Sequence, residues 1–194
     1  MYERDGKTYS NISYTPRQFP IPHLEPYADQ QNISTKIIED FNERGYNVSL
    51  ISGKPGIGKS MIPYFVARYL LNNEKCENIT DVAFIDSFCP IQPGDGFYSL
   101  YTKTSPTENR PLIVVMEEID IIISNIHTDN VPIHKYILIE LANKTQWSQF
   151  FDKFAIRRFP HVIFIMTTNK PLSYFNELDT SYMRQNRVNT IFEV

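Results

Sequence analysis

Gly53-Lys54-Pro55-Gly56-Ile57-Gly58-Lys59-Ser60 decides the reading of this chain. These residues fit the spacing G-x-x-x-x-G-K-[ST]. Glycines in that pattern let the backbone curl until successive N–H groups point inward at phosphate oxygens. The flanks agree with it. Val48-Ser49-Leu50-Ile51 is a short buried-strand signal just before the loop. After Ser60, Tyr64, Phe65, Ala67, Arg68 and Leu71 recur at helical spacing as far as Asn72-Asn73. A helix opening there adds unpaired N–H donors and the positive end of its dipole. Lys59 then supplies a point charge to the β- and γ-phosphates of a nucleotide, and Ser60 a hydroxyl to Mg²⁺. Pro63 fits only in the first turn, since an interior proline costs about 3 kcal/mol.

Two further strand ends carry chemistry. Leu112-Ile113-Val114-Val115-Met116 is a continuous apolar run, as a central parallel strand buried on both faces requires. It runs into Glu117-Glu118, with Asp120 beyond. Carboxylates at the C-terminal edge of a parallel strand face the crevice where ligands bind. Glu117 is assigned to Mg²⁺, directly or through water, and Glu118 to polarising the water that attacks the γ-phosphate. Val162-Ile163-Phe164-Ile165-Met166 ends in Thr167-Thr168-Asn169. The Asn169 amide both donates and accepts, so it positions water or else serves the turn before Lys170-Pro171. Arg184 and Arg187 follow Leu178-Asp179. They are either solvated or reach the nucleotide of a neighbouring subunit.

The remaining chain sets these motifs in order. Pro16, Pro20, Pro22 and Pro26 disfavour helix, so residues 1–33 read as an extended arm over a folded body. The spacing of Ile37, Ile38 and Phe41 predicts a helix from Ser34, capped by Ser34 or Thr35 and ended by Gly45. Val82-Ala83-Phe84-Ile85 is a second strand. Asp95 is the expected cap of a short helix carrying Phe97, Leu100 and Tyr101. A loop covers Thr128 to Pro132. A helix around Gln146 to Phe154 carries Trp147, Phe150, Phe151 and Phe154 on one face, and Thr190 to Val194 is the last strand. Strands alternating with helices imply an α/β fold, with a central parallel sheet covered on both faces over residues 34–194.

Composition limits the alternatives. The chain has 194 residues, 42% of them hydrophobic and 21% charged, which is globular rather than disordered. A net charge of -3 excludes a basic field over the whole surface and leaves a local patch open. No apolar run approaches the roughly 20 residues of a spanning helix. Met1 to Ser10 is polar, unlike a secretory signal, so a cytoplasmic location is expected. Cys76 and Cys89 alone make neither a disulfide framework nor a zinc site.

The order of features resembles the AAA family of ATPases, within the broader AAA+ class, over about Ile33 to Val194. Gly53 to Ser60 resembles the Walker A motif, and Leu112 to Asp120 resembles Walker B. Asn169 falls at the sensor-1 position. The segment from Leu178 to Val194 resembles the one carrying the family's two arginine fingers, matched by Arg184 and Arg187. The wording around Met166-Thr167-Thr168-Asn169 is similar to the branch of the mitochondrial complex III assembly chaperone. The resemblance implies a P-loop NTPase three-layer α/β/α sandwich, the large subdomain of an AAA+ module. It implies ATP, ADP and Mg²⁺ as ligands. It further implies ATP hydrolysis coupled to remodelling of a protein or macromolecular complex by a homo-oligomeric ring, with fingers acting in trans.

Three departures stand out. Glu117 replaces an aspartate and lengthens the reach to Mg²⁺ by one methylene. Gln185-Asn186 replaces Pro-Gly. The family's small helical lid is expected after the last strand and does not follow Val194, so the expected fold is the large subdomain with the lid absent. Phe88 and Phe97 are candidates for an aromatic pore loop or for the core. Two other functions stay open: a nucleic-acid motor or loader of the viral or replicative helicase type, and a weakly hydrolysing nucleotide switch.

Overall fold

In the computed structural model, which describes residues 1–5, 13–18, 23–73 and 76–194, two short antiparallel strands come first, β1 (Tyr2–Asp5) and β2 (Ser13–Pro16). Helix α1 (Ala28–Arg44) leads into β3 (Tyr46–Ser52), α2 (Ile62–Asn72), β4 (Ala83–Ile85) and α3 (Phe97–Thr104). Then come β5 (Leu112–Met116), α4 (Ile119–His127), α5 (Lys144–Ala155), β6 (Val162–Thr168), α6 (Leu172–Asp179) and β7 (Thr190–Glu193). Strands β3 to β7 form one parallel sheet in the order β4-β5-β6-β3-β7.

The sheet has a core on each face. Successive side chains of a strand point to opposite faces. Ile113, Val115, Ile163 and Ile165 therefore pack with Ile37 and Ile38 of α1 and Val66 of α2. Val114, Met116, Phe164 and Met166 pack with Phe97 of α3, Ile122 of α4, Trp147 of α5 and Phe175 of α6. This is a three-layer α/β/α sandwich, as the alternation of strand and helix predicts. Every residue of β3, β5 and β6 is buried. Phe97 and Phe88 are both core residues: the Phe97 ring lies 4.8 Å from Phe159 and 5.3 Å from Phe150, and Phe88 packs on Phe164 at 5.9 Å. Neither is exposed to thread a substrate.

Local chemistry accounts for the element ends and for two departures from expectation. Pro63 sits in the first turn of α2, where its missing N–H costs nothing. The first helix starts at Ala28, well before Ser34. Its cap is the Gln30 amide, whose Oε1 accepts from the Tyr27 N–H at 2.9 Å. Ser34 is inside the helix, its hydroxyl donating back to the Gln30 carbonyl at 2.7 Å. Asp95 likewise does not cap α3, where the capping position is Gly96. Its carboxylate instead accepts from the Tyr14 hydroxyl at 2.6 Å and the Cys89 N–H at 2.8 Å, pinning β2 to the body. The arm thus includes a strand pair whose Tyr2 and Tyr14 are buried. Pro20 and Pro22, read as part of it, lie outside the described residues. Among the described residues no helix is long and apolar enough to cross a membrane.

Helix α5 begins at a side-chain cap. Asn143 Oδ1 accepts from the Gln146 N–H at 2.9 Å, while Gln146 Oε1 accepts from the Ala142 N–H at 2.6 Å. Removing such a cap typically costs about 1 kcal/mol. Asn143→Ala is expected to lower the unfolding free energy by that amount, read from the urea midpoint at constant slope.

Candidate functional site

The C-terminal ends of β5, β6 and β3 are neighbours in the sheet, and all three open on one crevice. The loop 53–60 leaves β3 there. Gly56 and Gly58 have φ of 84° and 85°, in the left-handed region where a side chain is strained. A Cβ at Gly58 would also meet Gln30 Nε2 at 2.4 Å, so the Gln30 amide would have to move aside. That amide donates to the Gly58 carbonyl at 3.0 Å. One side chain, Gln30, therefore both caps α1 and holds the loop.

Lys59 follows at the start of a short 3-10 turn, Lys59–Met61, which passes into α2. It is 8% exposed. Its ammonium donates to the carbonyls of Gly53 at 2.7 Å and Lys54 at 2.8 Å, and to Asn169 Oδ1 at 2.9 Å. That engages all three of its donors. Burial pushes its pKa below the ordinary lysine value, and the Asp120 carboxylate partly offsets this.

Lys59, Ser60, Glu117, Glu118 and Asn169 line one cavity of about 330 Å³, together with Pro55, Gly56 and Gly58. Residues from distant parts of the sequence thus meet in one crevice. Lys54 and Ile57 are exposed on the outer side of the loop, and Gly53 lies at its base. Glu118 occupies the capping position of α4 with φ 52°, in the left-handed region although it is not glycine. Such backbone strain costs of order 1–3 kcal/mol; Ser105, Asp129, Arg157 and His161 share the conformation away from the cavity, so it does not by itself mark the site.

The crevice is braced from below. Thr168 Oγ1 donates to Asp120 Oδ1 at 2.7 Å and accepts from the Lys170 N–H at 3.0 Å. Ser52 Oγ donates to the Lys170 carbonyl at 2.7 Å. These bonds tie the ends of β6, β3 and α4 together and fix where Asn169 stands. Sequence reading gives no role to Gln30, Asp120, Thr168 or Ser52. Asp120 and Thr168 lie inside the motif segments Leu112 to Asp120 and Met166 to Asn169. Gln30 lies 28 residues from Gly58 and carries no sequence signal.

The donors suit a hard cation. Ser60 and Glu117 offer a hydroxyl and a carboxylate, both oxygen ligands of the kind Mg²⁺ takes. Among the described residues no cluster of three or more His, Cys, Asp or Glu could hold a metal alone.

The two arginines stand apart from this cavity, and they differ. Arg184 is exposed. Arg187 is 7% exposed. Its Nε and Nη2 donate to the two carboxylate oxygens of Asp152 at 2.8 and 3.2 Å, and its Nη1 donates to the Ser181 carbonyl. Arg187 does not project as a group reaching for a neighbour would.

Residues 49–194 match the sequence model of the ATPase family associated with various cellular activities (AAA). No curated protein matches the chain in sequence. Among solved structures, the chain is similar to the ADP form of the ORC2 protein of Aeropyrum pernix. The TM-score is 0.52 at 13% identity, over 92% of this chain and 50% of that one. It is also similar to C. elegans PCH-2, with a TM-score of 0.47 at 13% identity, over 85% of this chain and 42% of that one. The chain spans about half the length of the structures it matches.

Proposed function

This chain belongs to the AAA family of ATPases, and we propose that its cavity binds ATP with Mg²⁺ and hydrolyses it, in a ring of copies that remodels a protein or macromolecular complex. The observation carrying this reading is the contact of Lys59 with Asn169, at 2.9 Å, in a cavity shared with Ser60 and two glutamates. The residues proposed as phosphate-binding lysine, cation ligands, base and water-positioning amide thereby line one space.

The residues divide the work. The N–H groups of the loop 53–60 and the N-terminus of α2 receive the phosphates. Lys59 exchanges its three bonds to Gly53, Lys54 and Asn169 for phosphate oxygens, which releases the Asn169 amide toward water. Ser60 and Glu117 would hold Mg²⁺, which would supply neutralising charge to the phosphates. Glu118 takes the proton of the attacking water. Arg184 reaches the phosphates held by a neighbouring copy.

Lys59→Ala tests the binding role. Truncating one partner of a buried, hydrogen-bonded charge pair costs about 2 kcal/mol or more. ATP affinity is therefore expected to fall by about 30-fold or more, read by calorimetric titration. Unchanged affinity in a folded variant would overturn the reading. Hydrolysis by the unaltered protein separates the other functions. Stimulation by DNA marks a nucleic-acid motor, and a near-absent single turnover marks a switch.

A further inference from the structure

We propose that Arg187 is a positioning residue: it clamps the turn that presents Arg184 to a second copy of this chain, and touches no nucleotide itself. The inference rests on the reading of Arg184 given above. The two arginines stand on one tight turn, where the Arg187 and Val188 N–H groups both donate to the Arg184 carbonyl, at 2.7 and 3.1 Å. Arg184, Gln185 and Asn186 at its tip are exposed, while Met183 and Val188 on either side are buried.

The backbone beneath the tip is pinned at several points. The Arg187 guanidinium spans from Asp152 of α5 to the Ser181 carbonyl. The Trp147 indole N–H donates to the Tyr182 carbonyl at 3.2 Å. Asp179 accepts from the Ser181 N–H at 2.8 Å and pairs with Lys144. On the far side, Asn189 exchanges bonds with Val48 of β3, its N–H donating to the Val48 carbonyl at 2.7 Å and its Oδ1 accepting from the Val48 N–H at 2.8 Å.

A two-pronged arginine–carboxylate pair fixes direction as well as distance. For Arg187 to reach a neighbour it would have to abandon both Asp152 oxygens and the Ser181 carbonyl. Arg184 needs no such rearrangement. The pairing therefore gives the two arginines different duties: one is exposed to meet the second copy, and the other sets the angle at which it does so.

Asp152 provides the test, because its side chain is 54% exposed and its loss leaves Arg187 in the chain. Turnover and ATP affinity are compared for Asp152→Ala, Arg187→Ala, the double variant and the exchange of Asp152→Arg with Arg187→Asp, with Arg184→Ala alongside. Displacing a reacting group by about 1 Å can cost 10²-fold in rate. Asp152→Ala is expected to lower kcat by about ten- to 10²-fold with full ATP-binding stoichiometry and unchanged affinity. Full stoichiometry excludes an unfolded fraction as the cause. The double variant should be no worse than Arg187→Ala, and the charge exchange should recover part of the loss. If Arg187→Ala does not fold, Asp152→Ala decides alone. Wild-type turnover in Asp152→Ala overturns the proposal. If Arg184→Ala also keeps turnover, the reading of Arg184 fails with it; if Arg184→Ala loses turnover, that reading stands and only the clamp is rejected.

Discussion

Glu118→Gln is expected to bind ATP with Mg²⁺ at wild-type affinity and to hydrolyse it about 10²–10⁴ times more slowly, the usual contribution of a general acid–base group. The substitution keeps size and hydrogen-bonding capacity and removes the proton acceptor. It also leaves the backbone as found, since the side chain is exposed at the mouth of the cavity beside Glu117. Phosphate release and nucleotide titration on one preparation separate chemistry from binding. Should Glu117→Gln give the slow, ATP-loaded protein instead, the two carboxylates have exchanged roles.

Arg184→Ala is expected to show a still larger loss, about 10³–10⁵ in rate with ATP binding intact, as for a group that stabilises charge only in the transition state. A residue supplied by a neighbour makes specific activity rise with protein concentration. The decisive arrangement mixes Arg184→Ala subunits with Lys59→Ala subunits, each inactive alone. Some mixed contacts then pair an intact phosphate loop with an intact arginine, and part of the activity returns. Failure to recover, with co-assembly demonstrated, counts against sharing between copies. Activity independent of concentration in a monomer excludes it.

The parts of the molecule that could be read from the chain are those set by local pattern. β5 and β6 announce themselves because strands covered on both faces need unbroken apolar runs. The loop 53–60 follows from spacing alone, since curling around phosphate needs glycine at fixed positions. What escaped the reading depends on partners far away in sequence. Ser34 is a better cap than Gln30 in isolation. Gln30 prevails because its amide serves Tyr27 and Gly58 together. Asp95 suits a helix start, but it serves Tyr14, 81 residues away. Arg187 resembles Arg184 on paper, and only the approach of Asp152, 35 residues away, tells them apart.

If Glu118 is the base proposed above, its backbone sets stability and activity against each other. A left-handed conformation costs an ordinary residue about 1–2 kcal/mol, and glycine is free of that penalty. Whole domains have only about 5–15 kcal/mol to spare. On the role proposed for Glu118, a laboratory population selected purely for heat resistance is expected to drift toward glycine at 118, gaining stability and losing turnover. Glutamate at this position then exchanges about 1–2 kcal/mol of stability for the proposed chemistry.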